Sequence, residues 1–194
     1  GVVSVSAPDS AAGGENVTVV ALVRNPSLET QAQQVEFRVE GDVVARERVA
    51  VDGDGVESVR FNLDTSGLDS GDYVHSVYTD GDGVDKILTI SESFEVSDLD
   101  APENATAGDS VTVNATVSNP NDFETTQSVM FRLDGSVLSQ EEVTLSAGNS
   151  TTFSTQVDTT GVAPGTYTHG VFARDTGEIA TIDVAAAPGV PTNA

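Results

Sequence analysis

The sequence predicts an all-β chain built as two tandem sandwiches of about seven strands each. Three observations carry this. Short runs alternate apolar and polar residues, one fixed offset maps the first half of the chain onto the second, and turn residues separate the runs. No stretch shows helical periodicity.

The offset is 94 residues. It takes Asn25-Pro26 to Asn119-Pro120 (119 − 25 = 94), Phe37-Arg38 to Phe131-Arg132, and Asp64-Thr65 to Asp158-Thr159. Gly71 meets Gly165, Tyr73 meets Tyr167, and His75 meets His169. No gap is needed from Ala7 to about Ile90, so duplicated domains are predicted rather than one mixed fold. The expected division is 1–92 and 93–185, with 186–194 as a linker or tail marked by Pro188-Gly189-Val190-Pro191.

Within each copy the strands follow in order. Val111, Val113, Ala115 and Val117 share one face of a strand, while Thr112, Asn114 and Thr116 share the other; Val17, Val19, Ala21 and Val23 repeat the apolar face. Period-two alternation places one face on a core and one in water. The next strands are expected at Gln33–Glu40 and Gln127–Asp134. Glu40-Gly41-Asp42 and Asp134-Gly135-Ser136 then carry tight-hairpin chemistry. Returning strands cover about Val43–Val51 and Val137–Leu145, followed by Glu57–Leu63 and Thr151–Val157. Gly71-Asp72-Tyr73 and Gly165-Thr166-Tyr167 open further strands, and Asp85–Ile90 and Glu178–Val184 close the copies. Phe94-Glu95-Val96-Ser97 opens copy 2. Its counterpart in copy 1 is cut at Gly1, so a preceding segment is expected.

Asp and Glu number 31 against 8 Lys and Arg, a formal charge of −23, and Lys86 is the only lysine. Such a surface repels nucleic acid and anionic membranes. Its self-repulsion destabilises the compact state in low salt, whereas in molar salt the Debye length falls to about 3 Å. The balance reads as adaptation to high salt. Strict periodicity argues against disorder, the other reading of high charge with few aromatics. There are no cysteines, hence no disulfide or thiolate metal site. No apolar run reaches the roughly 18 residues of a membrane-spanning helix, so direct membrane insertion is not expected.

On these residues each copy resembles the CARDB-type repeat, an immunoglobulin-like sandwich of archaeal and bacterial surface proteins. The resemblance rests on Pro102-Glu103, Ala107-Gly108-Asp109-Ser110-Val111, Asn119-Pro120 and Val129–Gly135. It continues through Val143–Gly148 and Pro164-Gly165-Thr166-Tyr167-Thr168-His169. Copy 1 departs with Asp52-Gly53-Asp54 and Asp69-Ser70-Gly71, both in turns. The resemblance, with the acidic composition, implies secreted or cell-surface tandem arrays of a haloarchaeal kind, acting as spacers or adhesive modules. Fold alone fixes no function.

Candidate sites are few. Four Asn-x-Ser/Thr sequons occur, at Asn16, Asn104, Asn114 and Asn149. Asn114 is expected on a solvent face, and Asn104 and Asn149 in turns. Tyr73 and Tyr167 resemble the tyrosine corner of such sandwiches, with the hydroxyl bonding backbone. His75 and His169 share a strand face with Tyr73 and Tyr167 and are expected to be partly buried and hydrogen-bonded. Asp80, Asp82 and Asp85 are weak calcium candidates, joined by Asp52 and Asp54, but the EF-hand pattern is absent and copy 2 lacks the cluster. Val20 and Leu22 replace Asn114 and Thr116 on the outward face and mark a possible interface. No nucleophile elbow, metal-ligand pair or phosphate loop appears, so neither catalysis nor a cofactor is expected.

The expected function is therefore non-catalytic: an extracellular spacer, adhesive or self-associating segment whose partners are proteins, further copies, glycans or the cell envelope. One alternative is a subunit of an extracellular filament or virion. Another is a carbohydrate-binding accessory module, which predicts exposed aromatics; Trp is absent, and the tyrosines are Tyr73, Tyr78 and Tyr167.

Overall fold

The computed structural model describes residues 1–189 and divides into two compact units, Gly1–Glu92 and the chain from Ser93 onward. Every described element is a strand. Unit 1 holds β1 (Val2–Ser6), β2 (Ser10–Ala12), β3 (Asn16–Arg24), β4 (Gln31–Val39), β5 (Asp42–Val51), β6 (Val56–Asp64), β7 (Gly71–Tyr78) and β8 (Gly83–Ser91). Unit 2 holds β9 (Glu95–Asp100), β10 (Asn104–Thr106), β11 (Ser110–Ser118) and β12 (Thr125–Leu133). It continues with β13 (Ser136–Leu145), β14 (Ser150–Asp158), β15 (Gly165–Phe172) and β16 (Gly177–Ala185). The expected tail begins at Ala186; its residues 190–194 lie outside the described residues.

Each unit pairs a three-stranded with a five-stranded sheet. The orders are β1-β3-β6 and β2-β8-β7-β4-β5 in unit 1, and β9-β11-β14 and β10-β16-β15-β12-β13 in unit 2. Among the described residues there are thus eight strands per unit rather than about seven. The additional ones are β2 and β10, three residues long, which pair in parallel with β8 and β16. All other pairings are antiparallel.

Alternation builds both cores. In β3, Val17, Val19, Ala21 and Val23 are buried, and they meet Val35 and Phe37 of β4, Val77 of β7 and Leu88 of β8. Phe37 stacks on Phe61 of β6 across the two sheets, with ring centroids 5.4 Å apart. In unit 2 the equivalent layer is Val111, Val113, Ala115 and Val117 against Val129, Phe131 and Val171. Unit 2 adds Phe94, fully buried before β9, whose main-chain N–H donates to the Gln127 side-chain oxygen at 2.8 Å. Burying a side chain of this size removes water from enough apolar surface to stabilise by about 2 kcal/mol.

The hairpins explain their own residues. Glu40-Gly41 and Asp134-Gly135 each form a two-residue loop with both residues at positive φ: 50° and 87° in unit 1, 47° and 82° in unit 2. That geometry matches the twist of the flanking strands and favours glycine at the second position. The acidic residue at the first position also accepts a hydrogen bond from the neighbouring strand. The Glu40 carboxylate takes the Val74 N–H, and Asp134 takes the Thr168 N–H at 3.0 Å.

Candidate functional site

Three pairs of polar residues that the two units hold in common bind backbone. Asn25 is fully buried, and its amide nitrogen donates to the carbonyls of Glu29 (2.8 Å), Val51 (2.9 Å) and Asp52 (3.2 Å). Its Oδ1 accepts the Ser27 N–H at 3.0 Å. Asn119 repeats this with Phe123, Leu145 and Ser146, and accepts from the Asn121 N–H. Asn25 follows β3 of one sheet and reaches the end of β5 in the other, so the amide straps the two sheets together. Thr65 and Thr159, also buried, donate to the carbonyls of Glu15 (2.7 Å) and Asp109 (2.8 Å). These roles were not foreseen; their only sign in the sequence was that both copies carry the same residues at the same offset.

The tyrosine corners form. Tyr73 donates its hydroxyl to the Asp69 carbonyl at 3.0 Å, and Tyr167 to the Ala163 carbonyl at 2.6 Å. In each case the partner lies four residues upstream and the link closes the turn that opens the strand.

The histidines differ from expectation. His75 and His169 are buried more deeply than predicted, and both ring nitrogens of His75 and Nδ1 of His169 lack a protein hydrogen-bond partner. They sit on the inward face of β7 and β15, where neighbours are apolar: Phe37 lies 6.0 Å from His75 and Phe131 5.8 Å from His169, centroid to centroid. Burial lowers both pKa values, and Lys86 adds a smaller repulsion at His75. Neutral imidazoles therefore act here as core side chains. A small apolar cavity in unit 2 borders His169, Phe131, Val113 and Ile182.

The acidic loop residues do not converge. The Asp82 carboxylate accepts the Val2 N–H at 2.9 Å and the Thr79 hydroxyl at 3.0 Å, tying the β7–β8 turn to β1. Those bonds, the Val2 one first, hold its carboxyl below the usual range. Asp85 takes the Tyr78 hydroxyl at 3.2 Å, and Asp80 is exposed. Asp54 pairs with Arg24 at 2.7 Å, and Asp52 takes the Thr30 hydroxyl at 3.0 Å. Among the described residues no three acidic or histidine side chains are grouped to hold a metal. The loop carboxylates are diverted into turn and strand hydrogen bonds instead.

Of the sequon residues, Asn16, Asn104 and Asn149 are exposed. Asn104 opens β10 opposite Asp183 rather than lying in a turn. Asn114 is half-buried, because β11 is the central strand and Asn114 lies between Asp100 and Ser154. Leu22 is 39 % exposed and Val20 half-buried. Their cross-strand neighbours are Ser4 and Ser58, and Ser6 and Arg60, and Val3 at the β1 bulge beside Leu22 is exposed as well. Every described aromatic side chain is at least half-buried.

A family model, CARDB, matches residues 87–183, from the end of β8 through most of β16. No curated protein matches the chain. Among solved structures, the fibronectin(III)-like modules of Clostridium thermocellum CbhA are 17 % identical at a TM-score of 0.53, covering 94 % of this chain and 95 % of theirs. A β-glucosidase from Listeria innocua, solved with isofagomine, is 18 % identical over 49 % of this chain and 16 % of its own, at a TM-score of 0.44. The CARDB domain of a Pyrococcus furiosus protein, solved in complex with di-metal ions, is 11 % identical over 49 % of this chain and 91 % of that domain, at a TM-score of 0.43. The first of these likenesses shows the fold: immunoglobulin-like sandwiches in tandem.

Proposed function

The chain belongs to the CARDB family, and from that premise we propose that it is a non-catalytic structural segment working outside the cell as a spacer or adhesive module. The observation that carries this reading is the use to which both units put three pairs of shared polar residues. Asn25 and Asn119, Thr65 and Thr159, and Tyr73 and Tyr167 all bond main-chain carbonyls of their own unit. A catalytic constellation instead needs side chains converging on one reacting atom. The duplicated residues brace a scaffold.

Two further features support an extracellular setting. Three sequon residues are exposed, and the charge of −23 keeps a surface solvated at high ionic strength. The half-buried aromatics count against the carbohydrate-binding alternative, since no described aromatic ring stands open as a flat platform. Labelling of intact cells of the native host with an antibody to the full chain tests the placement. Labelling without permeabilisation is expected; signal only after permeabilisation would overturn it. Intact-mass measurement on the native protein reads sequon use, and glycan-sized increments are expected.

A further inference from the structure

The two five-stranded sheets each end in a ten-residue edge strand, β5 in unit 1 and β13 in unit 2. The outer main-chain groups of an edge strand are free to pair with another chain. Neither strand contains proline, and both carry exposed apolar side chains near the hairpin: Val44 at 52 %, Leu138 at 52 % and Val137 at 48 %. At matching positions the two edges have opposite charge. Arg46-Glu47-Arg48 in β5 sums to +1, with Arg46 already paired to Glu36 of β4 at 3.0 Å and Arg48 the cation left for a partner, whereas Gln140-Glu141-Glu142 in β13 sums to −2, and all six are exposed. The contrast is local, because the units as wholes are alike: residues 1–92 carry 6 basic and 17 acidic residues (−11), and residues 93–194 carry 2 and 14 (−12).

From this juxtaposition we propose that β5 of one copy pairs edge-to-edge with β13 of a second copy. The inference rests on the structural reading above and names its partner. An antiparallel register that sets Arg48 opposite Glu142 also sets Glu47 opposite Val143, which avoids a Glu47–Glu141 clash. Two β13 edges would bring like charges together, and two β5 edges aligned at their centres would set Arg46 opposite Arg48 and Glu47 opposite Glu47, so the heterologous contact is favoured and either closes into a ring or propagates. Molar salt screens the general repulsion between two acidic copies; the Arg48–Glu142 pair, in contact and partly covered by the strand pairing, is screened less than charges further apart.

Sedimentation velocity on the full chain in molar NaCl tests this. The unaltered chain is expected to self-associate. Arg46→Glu/Arg48→Glu alone and Glu141→Arg/Glu142→Arg alone are expected to weaken association by about tenfold or more, equivalent to about 1.4 kcal/mol. An equal mixture of the two variants restores opposite edges and is expected to regain it. Circular dichroism checks that each variant stays folded. A chain monomeric in every salt, variants that associate like the parent, or a mixture that fails to recover would each overturn the pairing. A monomer that still labels the cell surface would leave the spacer reading standing, so the two failures are distinguishable.

Discussion

The side-chain nitrogen of Asn119, just beyond β11, lies 3.0 Å from the carbonyl oxygen of Leu145 at the end of β13. One amide thus links the three-stranded sheet to the edge of the five-stranded one, and Asn25 makes the same link to Val51 in unit 1. Three carbonyls face each amide nitrogen. Asn119→Asp keeps the shape and removes both donors, placing a carboxylate against those oxygens. It is expected to destabilise unit 2 by about 3 kcal/mol. Urea unfolding checks this, and an unchanged midpoint would remove the strap from the account.

Tyr167→Phe deletes only the hydroxyl that bonds the Ala163 carbonyl. The ring still packs against the unit 2 core. A loss of about 1 kcal/mol is expected. The same change at Tyr73 should act equally on unit 1, through Asp69.

His75 makes stability depend on acidity. Its folded pKa is lowered, chiefly by burial. At pH well above the unfolded value of about 6.5 both states are neutral and the histidine contributes no pH dependence. As pH falls through that value the unfolded chain takes up a proton that the folded chain resists, so stability falls. His75→Leu is expected to flatten the decline of unit 1 stability over the pH window that opens below about 6.5. Melting temperature measured across that window reads the effect; an unchanged slope would contradict it.

The charge of −23 predicts that melting temperature climbs with NaCl well beyond physiological strength, because repulsion between carboxylates is progressively screened. Thermal melts from low to molar NaCl check this. A melting temperature that is flat or falling with salt would contradict it.

Much of the fold was legible because its signals are local. Val111, Val113, Ala115 and Val117 declare a one-sided strand within seven residues, and Glu40-Gly41 declares its turn within two. Tyr73 was readable because its partner lies four residues away. What stayed hidden depends on distant parts of the chain. The strands β2 and β10 are too short to show a period, and exist because β8 and β16 offer them an edge. Asn25-Pro26 was visible as a landmark of the repeat, but its strap joins residues 26 apart. The unpartnered state of His75 follows from its apolar surroundings on two sheets, not from its own strand. Likewise Asn114 is half-covered because β9 and β14 flank it on both sides.

Each unit folds and resists force as a self-sufficient body. Pulling the full chain by its ends in a single-molecule force experiment tests it most directly. Two separate unfolding events are expected, each releasing about 30 nm of chain, as roughly 90 residues at 3.3–3.6 Å per residue require. One event releasing twice that length would show that the two halves share a single cooperative structure, and would contradict the account.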